Sequence, residues 1–456
     1  MIFQADQVNW KKHLNYLNGY GPWISLSKSN PFYKGLFEIS QTFKESRPQK
    51  TTRYWLFNAI KHYKSRIFST PKTSVKPPEN VFYYSSGEEQ CCNRCILTSK
   101  DVEAIYFDQY GICNYCRYYD TVTQKLGSWN KRQDFIRHKV EEIKKNGQGH
   151  DYDCILGVSG GTDSSYLAYW AHQQGLRPLV VHFDNGWNSE LAVENIQRIC
   201  DKLGFSLQTY VINWEEFKQL QLAYLRAGVI DIEALTDHAI YATIYKIASK
   251  YKIRYTLSGF NYATEAIMPK GWVFDKTDFT NIRDINEKYG KAKIKSFPHI
   301  TFLKKFWFSI FLKIESIQVL NYIDYHKEQA KDVLKKELGW RDYGGKHYES
   351  IFTKFYQAYI LPTKFHVDKR KAHLSTLICS GQITKSEAKL ELQKPLYDPQ
   401  DLVQEKEYVL KKLGLSETEF DKIMASPPRK HTDFKTQQRL WERYFRLIQI
   451  LRPWKK

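Results

Sequence analysis

From Tyr152 onward, short apolar runs alternate with longer stretches in which apolar residues recur every three or four positions. Cys154-Ile155-Leu156 reads as a buried strand, and Ser165-Tyr166-Leu167-Ala168-Tyr169-Trp170 belongs to a helix that runs to about Gln174 and stops at Gly175. Pro178-Leu179-Val180-Val181-His182-Phe183 is the next buried strand, Asn188 to Leu203 the next helix, ended by Gly204, and Leu207-Gln208-Thr209-Tyr210-Val211-Ile212 the third strand. Two more helical stretches precede Arg254-Tyr255-Thr256-Leu257-Ser258, a strand that leads into Gly259. This alternation predicts an α/β fold with a doubly wound parallel sheet, whose ligands collect at the carboxyl ends of the strands.

The first strand–helix junction is Gly157-Val158-Ser159-Gly160-Gly161-Thr162-Asp163-Ser164. Two glycines let backbone N–H groups approach an anion, and the hydroxyls of Ser159, Thr162 and Ser164 and the positive end of the helix dipole add donors. Small polar turns of this kind also arise simply as caps. Asp163 changes the reading, because a carboxylate facing triphosphate oxygens is repulsive unless Mg²⁺ lies between them. The stretch lacks the Gly-Lys-Ser/Thr of a Walker loop and the third glycine of a dinucleotide fingerprint. Ser-Gly-Gly-x-Asp-Ser instead resembles the pyrophosphate loop, or PP-loop, of ATP pyrophosphatases, which adenylate a carbonyl-type oxygen and release pyrophosphate. Asp184 and Asn185, at the end of the second strand, are placed to meet ribose, adenine or metal, or else form a plain Asp-Asn-Gly turn. Gly259, Asn261 and Glu265 resemble the second nucleotide motif of the amide-forming members, where the glycine admits the triphosphate and the carboxylate faces magnesium.

Upstream stand two C-x-x-C knuckles, Cys92-Asn93-Arg94-Cys95 and Cys113-Asn114-Tyr115-Cys116, with 17 residues between Cys95 and Cys113. That spacing predicts a four-thiolate Zn²⁺ site, with Tyr106 to Gly111 as strand and turn of a zinc-ribbon hairpin. A single redox pair is the rival reading, and Cys91 is a spectator or a substitute for Cys92. Four thiolates leave no open coordination position, which favours a structural metal.

Composition adds little to this outline. A chain of 456 residues has ample length for several domains, and it carries no run of about 18 apolar residues and no secretory pattern at Met1-Ile2-Phe3. A soluble cytoplasmic protein is expected, in which eight cysteines serve metal or core rather than disulfides. The formal charge of +20 includes +9 from residues 1–80, where 13 Lys/Arg face Asp6, Glu38, Glu45 and Glu79. Nucleic acid, an anionic membrane surface or an anionic small molecule would all suit it. The expected layout is an accessory extension over 1–85, a zinc-ribbon module over 86–125, the PP-loop domain over 126–300 and a mainly helical substrate region over 301–456.

The distinctive C-terminal segments are Gly339-Trp340-Arg341-Asp342-Tyr343-Gly344-Gly345-Lys346-His347, Asp368-Lys369-Arg370-Lys371-Ala372-His373-Leu374-Ser375 and Cys379-Ser380-Gly381-Gln382. A helix over 366–376 would put His366, Arg370 and His373 on one face, fit to grip a phosphate or carboxylate, or simply solvated. Taken in order with the knuckles and the loop, these segments resemble the N-acetyl sugar amidotransferases of surface-polysaccharide and lipopolysaccharide O-antigen synthesis, over roughly residues 90–400. The extension before 85 and the doubled Cys91-Cys92 depart from that pattern. The resemblance implies an enzyme that adenylates the acetamido oxygen of an N-acetyl sugar with ATP, then lets ammonia displace AMP to leave an acetamidino group. Ser159, Gly160, Gly161, Thr162 and Ser164 would hold the pyrophosphate, with Asp184, Asn185, Gly259 and Asn261 around the rest of the nucleotide. Asp163 and Glu265 would hold Mg²⁺. Arg341, Lys346, His347, Arg370 and His373 are candidates for contact with a sugar-nucleotide substrate or for proton transfer. A separate glutaminase and an ammonia-channel subunit are implied as partners, with no specific nucleic acid. Two other readings stay open: a tRNA-modifying enzyme of thiolating or lysidine-forming type, for which Cys154, Cys200 and Cys379 are free thiols, and a non-catalytic nucleotide-binding protein.

Overall fold

β1 (Cys154–Gly157), β2 (Pro178–Asp184), β3 (Leu207–Val211), β4 (Tyr255–Ser258) and β5 (Glu315–Gln318) form one parallel sheet in the order β3-β2-β1-β4-β5. This computed structural model describes residues 89–438 apart from positions 103, 311 and 345–347. The 1–85 extension lies outside the described residues, and the described residues belong to one compact unit. Ile155 pairs with Leu179 on one side and with Thr256 on the other, so β1 is the switch point from which the chain winds both ways.

The alternation along the strands explains the two layers. Cys154 and Leu156 face α2 (Trp129–Asn146), α3 (Thr162–Gln173) and α4 (Glu190–Leu203), whose Val140, Leu167 and Ile196 fill that side. Ile155, Leu179 and Val181 face the other way, onto Ile247 and Ala248 of α6 (Ala234–Lys250). β1, β2 and β4 are buried on both faces over most of their length, which is why those runs read as continuous apolar stretches, whereas the edge strands β3 and β5 are partly exposed. The helices begin where their caps allow. α3 starts at Thr162, ahead of its apolar stripe, and α4 starts at Glu190 because the Ser189 side chain accepts from the Ala192 N–H.

Three expectations are corrected. β5 carries the sheet beyond position 300, and its four residues Glu-Ser-Ile-Gln have no apolar pattern to announce it. Among the described residues the knuckles form no ribbon hairpin of regular strands, only the single bridges Cys91–Thr98 and Phe107–Cys113, and α1 (Asn114–Lys125) starts directly at the second knuckle. His366 is not part of the following helix. It closes the turns Ile351–Phe355, Tyr356–Ile360 and Leu361–Phe365 in left-handed conformation, and α7 spans Arg370–Cys379. A second core joins α5 (Trp214–Ala227) to the 351–365 turns and the C-terminal helices Pro399–Leu413 and Glu417–Ala425, through Trp187, Phe352, Phe355 and Phe420. Among the described residues no helix is long and apolar enough to cross a membrane.

Candidate active site: the pyrophosphate loop and the four-cysteine centre

The loop is stitched to its neighbours at every turn. The Val158 N–H donates to the Val181 carbonyl (2.9 Å), and the Val158 carbonyl meets His182 Nδ1 (3.2 Å). Asn188 Nδ2 lies 3.1 Å from His182 Nε2, so Nε2 accepts and Nδ1 carries the proton. Burial, which lowers the pKa of His182, keeps this neutral tautomer. Gly160 has φ 83°, and a Cβ there would stand 2.8 Å from the Ala192 carbonyl oxygen, so only glycine fits. Its own carbonyl is turned away from the ligand side by two donors, Trp340 Nε1 (2.9 Å) and Tyr343 Oη (3.3 Å). Ser159, Gly161 and Ser164 then close on one another, with Ser164 Oγ donating to the Gly161 carbonyl at 3.1 Å. The Ser159 and Ser164 hydroxyls, 3.4 Å apart, thus lie together at the α3 N-terminus, a donor set suited to a phosphate.

Asp163 stands in the first turn of α3 and is held from two sides. Tyr325 donates its hydroxyl to Asp163 Oδ1, and Asn261 Nδ2 lies 3.3 Å from the same oxygen. Burial, reinforced by the Asp163 charge, pushes the Tyr325 phenol far above its ordinary range, so it stays a donor. Gly259 brings β4 so close that a Cβ would stand 3.3 Å from the Ser164 nitrogen. Asn261 is fully buried and caps the turn Tyr262–Glu265, accepting from the Thr264 N–H (2.9 Å). The predicted Gly259, Asn261 and Asp163 are thus brought together, and Glu265 stands close enough for its charge to act on Tyr325. The oriented Asp163 carboxylate, with that of Glu265 nearby, offers the oxygen ligands a magnesium ion takes, and such an ion would neutralise triphosphate charge.

Other predicted residues go elsewhere. Asp184 Oδ1 accepts from the Gly186 N–H (2.8 Å) and from Asn188 Nδ2 (3.0 Å), while Asn185 Oδ1 accepts from the Trp187 N–H (3.1 Å). Both side chains close the turn after β2. Arg341 is pinned by its backbone to Asn195, with N–H donating to Oδ1 (3.0 Å) and carbonyl accepting from Nδ2 (2.8 Å), and its guanidinium pairs with Glu194. Arg370 forks onto Asp368 (2.8 Å) and donates to the Lys394 carbonyl (2.8 Å), which makes it a structural brace. His373 lies one turn along α7, half-buried. Lys346 and His347 lie outside the described residues. Tyr325, Trp340, Tyr343 and His182 are the contributors that sequence reasoning missed. Trp340 and Tyr343 lay within the Gly339–Gly344 segment, and their signal was the motif itself rather than its charged members.

Cys92, Cys95, Cys113 and Cys116 are all buried, with sulfurs within 4.8 Å of one another. The Cys92–Cys116 and Cys95–Cys113 sulfurs stand 3.9 and 3.7 Å apart, and the Cys95 and Cys113 N–H groups donate to Cys92 Sγ at 3.4 and 3.3 Å. Edges of that length suit a tetrahedron around one ion with metal–sulfur bonds of about 2.3 Å. Cys91 points away from the quartet, toward the Cys92 and Cys95 carbonyls. A fifth thiol, Cys379 at the end of α7, lies 3.5 Å from Cys116 Sγ, and Lys385 Nζ donates to the Cys92 carbonyl (2.5 Å). From there Gln382 accepts from the Lys327 N–H (3.1 Å) and donates to the Tyr325 carbonyl (3.4 Å). The cysteine centre is therefore connected, through α7 and Gln382, to the tyrosine that holds Asp163.

Residues 153–248 match the family profile described as queuosine biosynthesis protein QueC, and residues 349–448 match that described as LPS biosynthesis protein WbpG-like, C-terminal domain. The chain is a PP-loop protein with a WbpG-like C-terminal domain. The junction is visible in the backbone: Ser189 N–H donates to the Glu349 carbonyl and Ile351 N–H to the Trp187 carbonyl, both at 2.9 Å, seating the start of the WbpG-like domain beside the loop. A stretch of 64 residues, 14% of this chain, is 34% identical to tRNA(Ile)-lysidine synthase of Chlamydia pneumoniae; the chain spans about a fifth (20%) of the length of that curated relative. Solved structures with some likeness include NMN synthetase from Francisella tularensis, 12% identical over 50% of this chain and 92% of that one, TM-score 0.25. Another is the NH3-dependent NAD synthetase of Campylobacter jejuni, 12% identical over 63% and 97%, TM-score 0.24. A third is the U34-tRNA thiolase NcsA of Methanococcus maripaludis with its [4Fe-4S] cluster, 14% identical over 57% and 80%, TM-score 0.28. Likeness at that level transfers no residue role.

Proposed function

We propose that this chain is an ATP-dependent amidotransferase that converts the acetamido group of an N-acetyl sugar, carried on a nucleotide, into an acetamidino group for surface-polysaccharide synthesis. One observation carries the reading: a PP-loop with its acidic residue held in place lies beside a WbpG-like domain. An amide oxygen is a poor leaving group, so the reaction first makes it a phosphate ester. The amide oxygen attacks the α-phosphorus, pyrophosphate leaves into the loop, and ammonia then displaces AMP. The loop hydroxyls of Ser159, Thr162 and Ser164 and the α3 N-terminus stabilise the departing pyrophosphate. Asp163 and Glu265 would hold Mg²⁺, which supplies charge neutralisation when bound. The four thiolates would hold Zn²⁺ in a closed, structural set. ATP as co-substrate fits a cytoplasmic setting.

The test incubates the protein with ATP, ammonium and a panel of mono- and diacetamido sugar nucleotides, read by mass spectrometry. The expected product is lighter than its acceptor by about one mass unit, with AMP and pyrophosphate formed in equal amounts. The lysidine synthase match keeps a base-modifying alternative in view. Tight, salt-resistant binding of one tRNA, with no amidine formed, would replace the sugar reading by that one.

A further inference from the structure

Two helix exits meet at the amino ends of β4 and β5, the opposite end of the parallel sheet from the PP-loop. α6 runs out through Lys252 into β4, and the helix Phe302–Ile310 runs out through Lys313 into β5. Both lysines adopt the left-handed backbone, with φ 57° and 51°, where glycine is the usual residue. The Ile253 N–H donates to the Ala248 carbonyl (2.9 Å) across the first turn, and the Ile314 N–H to the Phe308 carbonyl (3.3 Å) across the second. Ile253 and Ile314 are buried in one cluster, while Lys252 is exposed and Lys313 half-buried, so each lysine is the outward member of a Lys-Ile pair.

Between the two exits lies a cavity of about 330 Å³, whose lining includes Lys252, Arg254 and Lys313 with Ala248, Ile253 and Leu312. No carboxylate lines it. Glu315, two residues past Lys313, and Glu142 are both paired with Lys139, at 3.3 and 2.7 Å. Arg254 is held by Asn146, whose Oδ1 accepts from Nη1 (2.8 Å). Three cations over apolar walls, with no counter-charge inside, suit a phosphate carried on a hydrocarbon body. The helix Phe302–Ile310 extends the same character. Phe308, stacked on Tyr245 of α6 (5.6 Å), and Lys305, which donates to Thr277 Oγ1 (3.2 Å), fix its inner side. Leu303 and Trp307, four residues apart, lie on the opposite side, where Trp307 is 37% exposed and Lys304 is exposed beside them. An exposed indole and a leucine rimmed by lysines make the face of an interfacial helix.

We propose that this corner seats the protein on an anionic membrane surface, with a lipid phosphate taken into the cavity and Leu303 and Trp307 at the acyl boundary. Charge complementarity carries the choice of a bilayer: the cations meet the anionic headgroups, and part of the +20 formal charge thereby gains a partner. A nucleic-acid backbone would also meet the cations, but Leu303, Ile253 and Leu312 offer it no contact, whereas hydrocarbon matches them. The proposal is independent of the amidotransferase reading, because the cavity and the loop lie at opposite ends of the sheet. Glycine would make both turns without strain, so lysine there is a charge placed at the expense of the backbone.

Co-sedimentation of the full chain with vesicles tests the assignment, one set made of phosphatidylcholine alone and another with about one-third phosphatidylglycerol. Wild-type protein should sediment with the anionic vesicles, less so as salt rises, and not with the neutral ones. The informative variant combines Lys252→Gly and Lys313→Gly, since glycine suits both turns. Its melting temperature should be no lower than that of wild type, while its affinity for the anionic vesicles falls by about tenfold or more. Trp307→Ser should weaken sedimentation as well. Equal vesicle binding by the double variant and wild type, or no binding by wild type, would overturn the proposal. Inorganic phosphate that binds wild type but not the double variant, with no vesicle binding, would assign the cavity to a soluble anion instead. A tRNA affinity that falls in the double variant, again with no vesicle binding, would assign the surface to nucleic acid.

Discussion

At the residue scale the contrast is between side chains whose role is local and those whose partners come from afar. Asp163 carries a charge at a helix start, and its neighbours in sequence announce its role. Asp163→Asn keeps the size and removes the charge, so we expect ATP–pyrophosphate exchange to fall by at least a hundredfold with an unchanged melting temperature; retention of more than a tenth of the rate would show that the loop is not catalytic. Tyr325 acts through Asp163. Losing its hydrogen bond costs about 1.4 kcal/mol, a tenfold drop, so Tyr325→Phe should give exchange roughly tenfold slower, between wild type and Asp163→Asn. Tyr325 reaches Asp163 across 162 residues and Trp340 reaches Gly160 across 180, and nothing local to either marks the contact. The loop glycines and hydroxyls were legible because their geometry is set within eight residues. Asp184 and Asn185 show the reverse limit, since an Asp-Asn-Gly turn at a strand end reads equally as a ligand site or as its own closure.

At the element scale, patterns long enough to repeat were recovered and short ones were not. β1 to β4 and α3 and α4 were readable from buried runs and stop signals, whereas β5 has four residues and the knuckle strands shrink to single bridges. His366 interrupts a helical pattern that composition alone would carry through. The 3₁₀ turn His431–Asp433 offers a measurable consequence of packing. His431 Nδ1 lies 2.8 Å from Asn281 Oδ1, its Nε2 accepts from the Asp231 N–H (3.3 Å), and its ring stacks on Phe274 at 4.3 Å. Burial lowers its pKa to about 4 from an ordinary 6.5. The unfolded chain therefore binds the proton first, and this contribution, about 3 kcal/mol, is fully present above pH 6.5 and lost as pH falls to 4. Asp278, raised to about 6 by burial, and Glu233 slope the other way, holding their protons more tightly when folded. The wild-type curve mixes these terms, so the informative quantity is the stability difference between wild type and His431→Gln. That difference should shrink between pH 6.5 and 4; a constant difference across the window would mean that His431 is not held neutral.

At the scale of the whole molecule, the cysteine centre and the PP-loop are one mechanical unit, which no reading of separate motifs could show. Cys379 touches Cys116, α7 packs on the Tyr262–Glu265 turn through the Ser380 hydroxyl (2.8 Å to the Ala263 carbonyl), and Gln382 holds the Tyr325 segment. We expect one metal ion per chain, and we expect Cys113→Ser or chelation to raise hydrogen exchange in residues 89–120 and in 370–382 together. Exchange confined to 89–120 would show that the metal module is independent. The same placement bears on the nitrogen source. A triad-type glutaminase needs a cysteine on a sharp Gly-x-Cys-x-Gly turn, and the nearest sequence match is Leu377-Ile378-Cys379-Ser380-Gly381. Its thiol is buried, 3.5 Å from the Cys116 sulfur, with the Cys379 carbonyl tied to Arg94 (3.2 Å). Such a thiol cannot meet glutamine. Ammonia is mostly protonated at neutral pH and is a poor free nucleophile, so we propose that it is delivered by the separate glutaminase and channel subunit that the family resemblance implies. The purified chain given ATP, acceptor and glutamine alone should form no amidine, and a high concentration of ammonium salt at alkaline pH should restore the product. Efficient product from glutamine and the isolated chain would show that a nitrogen-releasing nucleophile lies within this sequence after all.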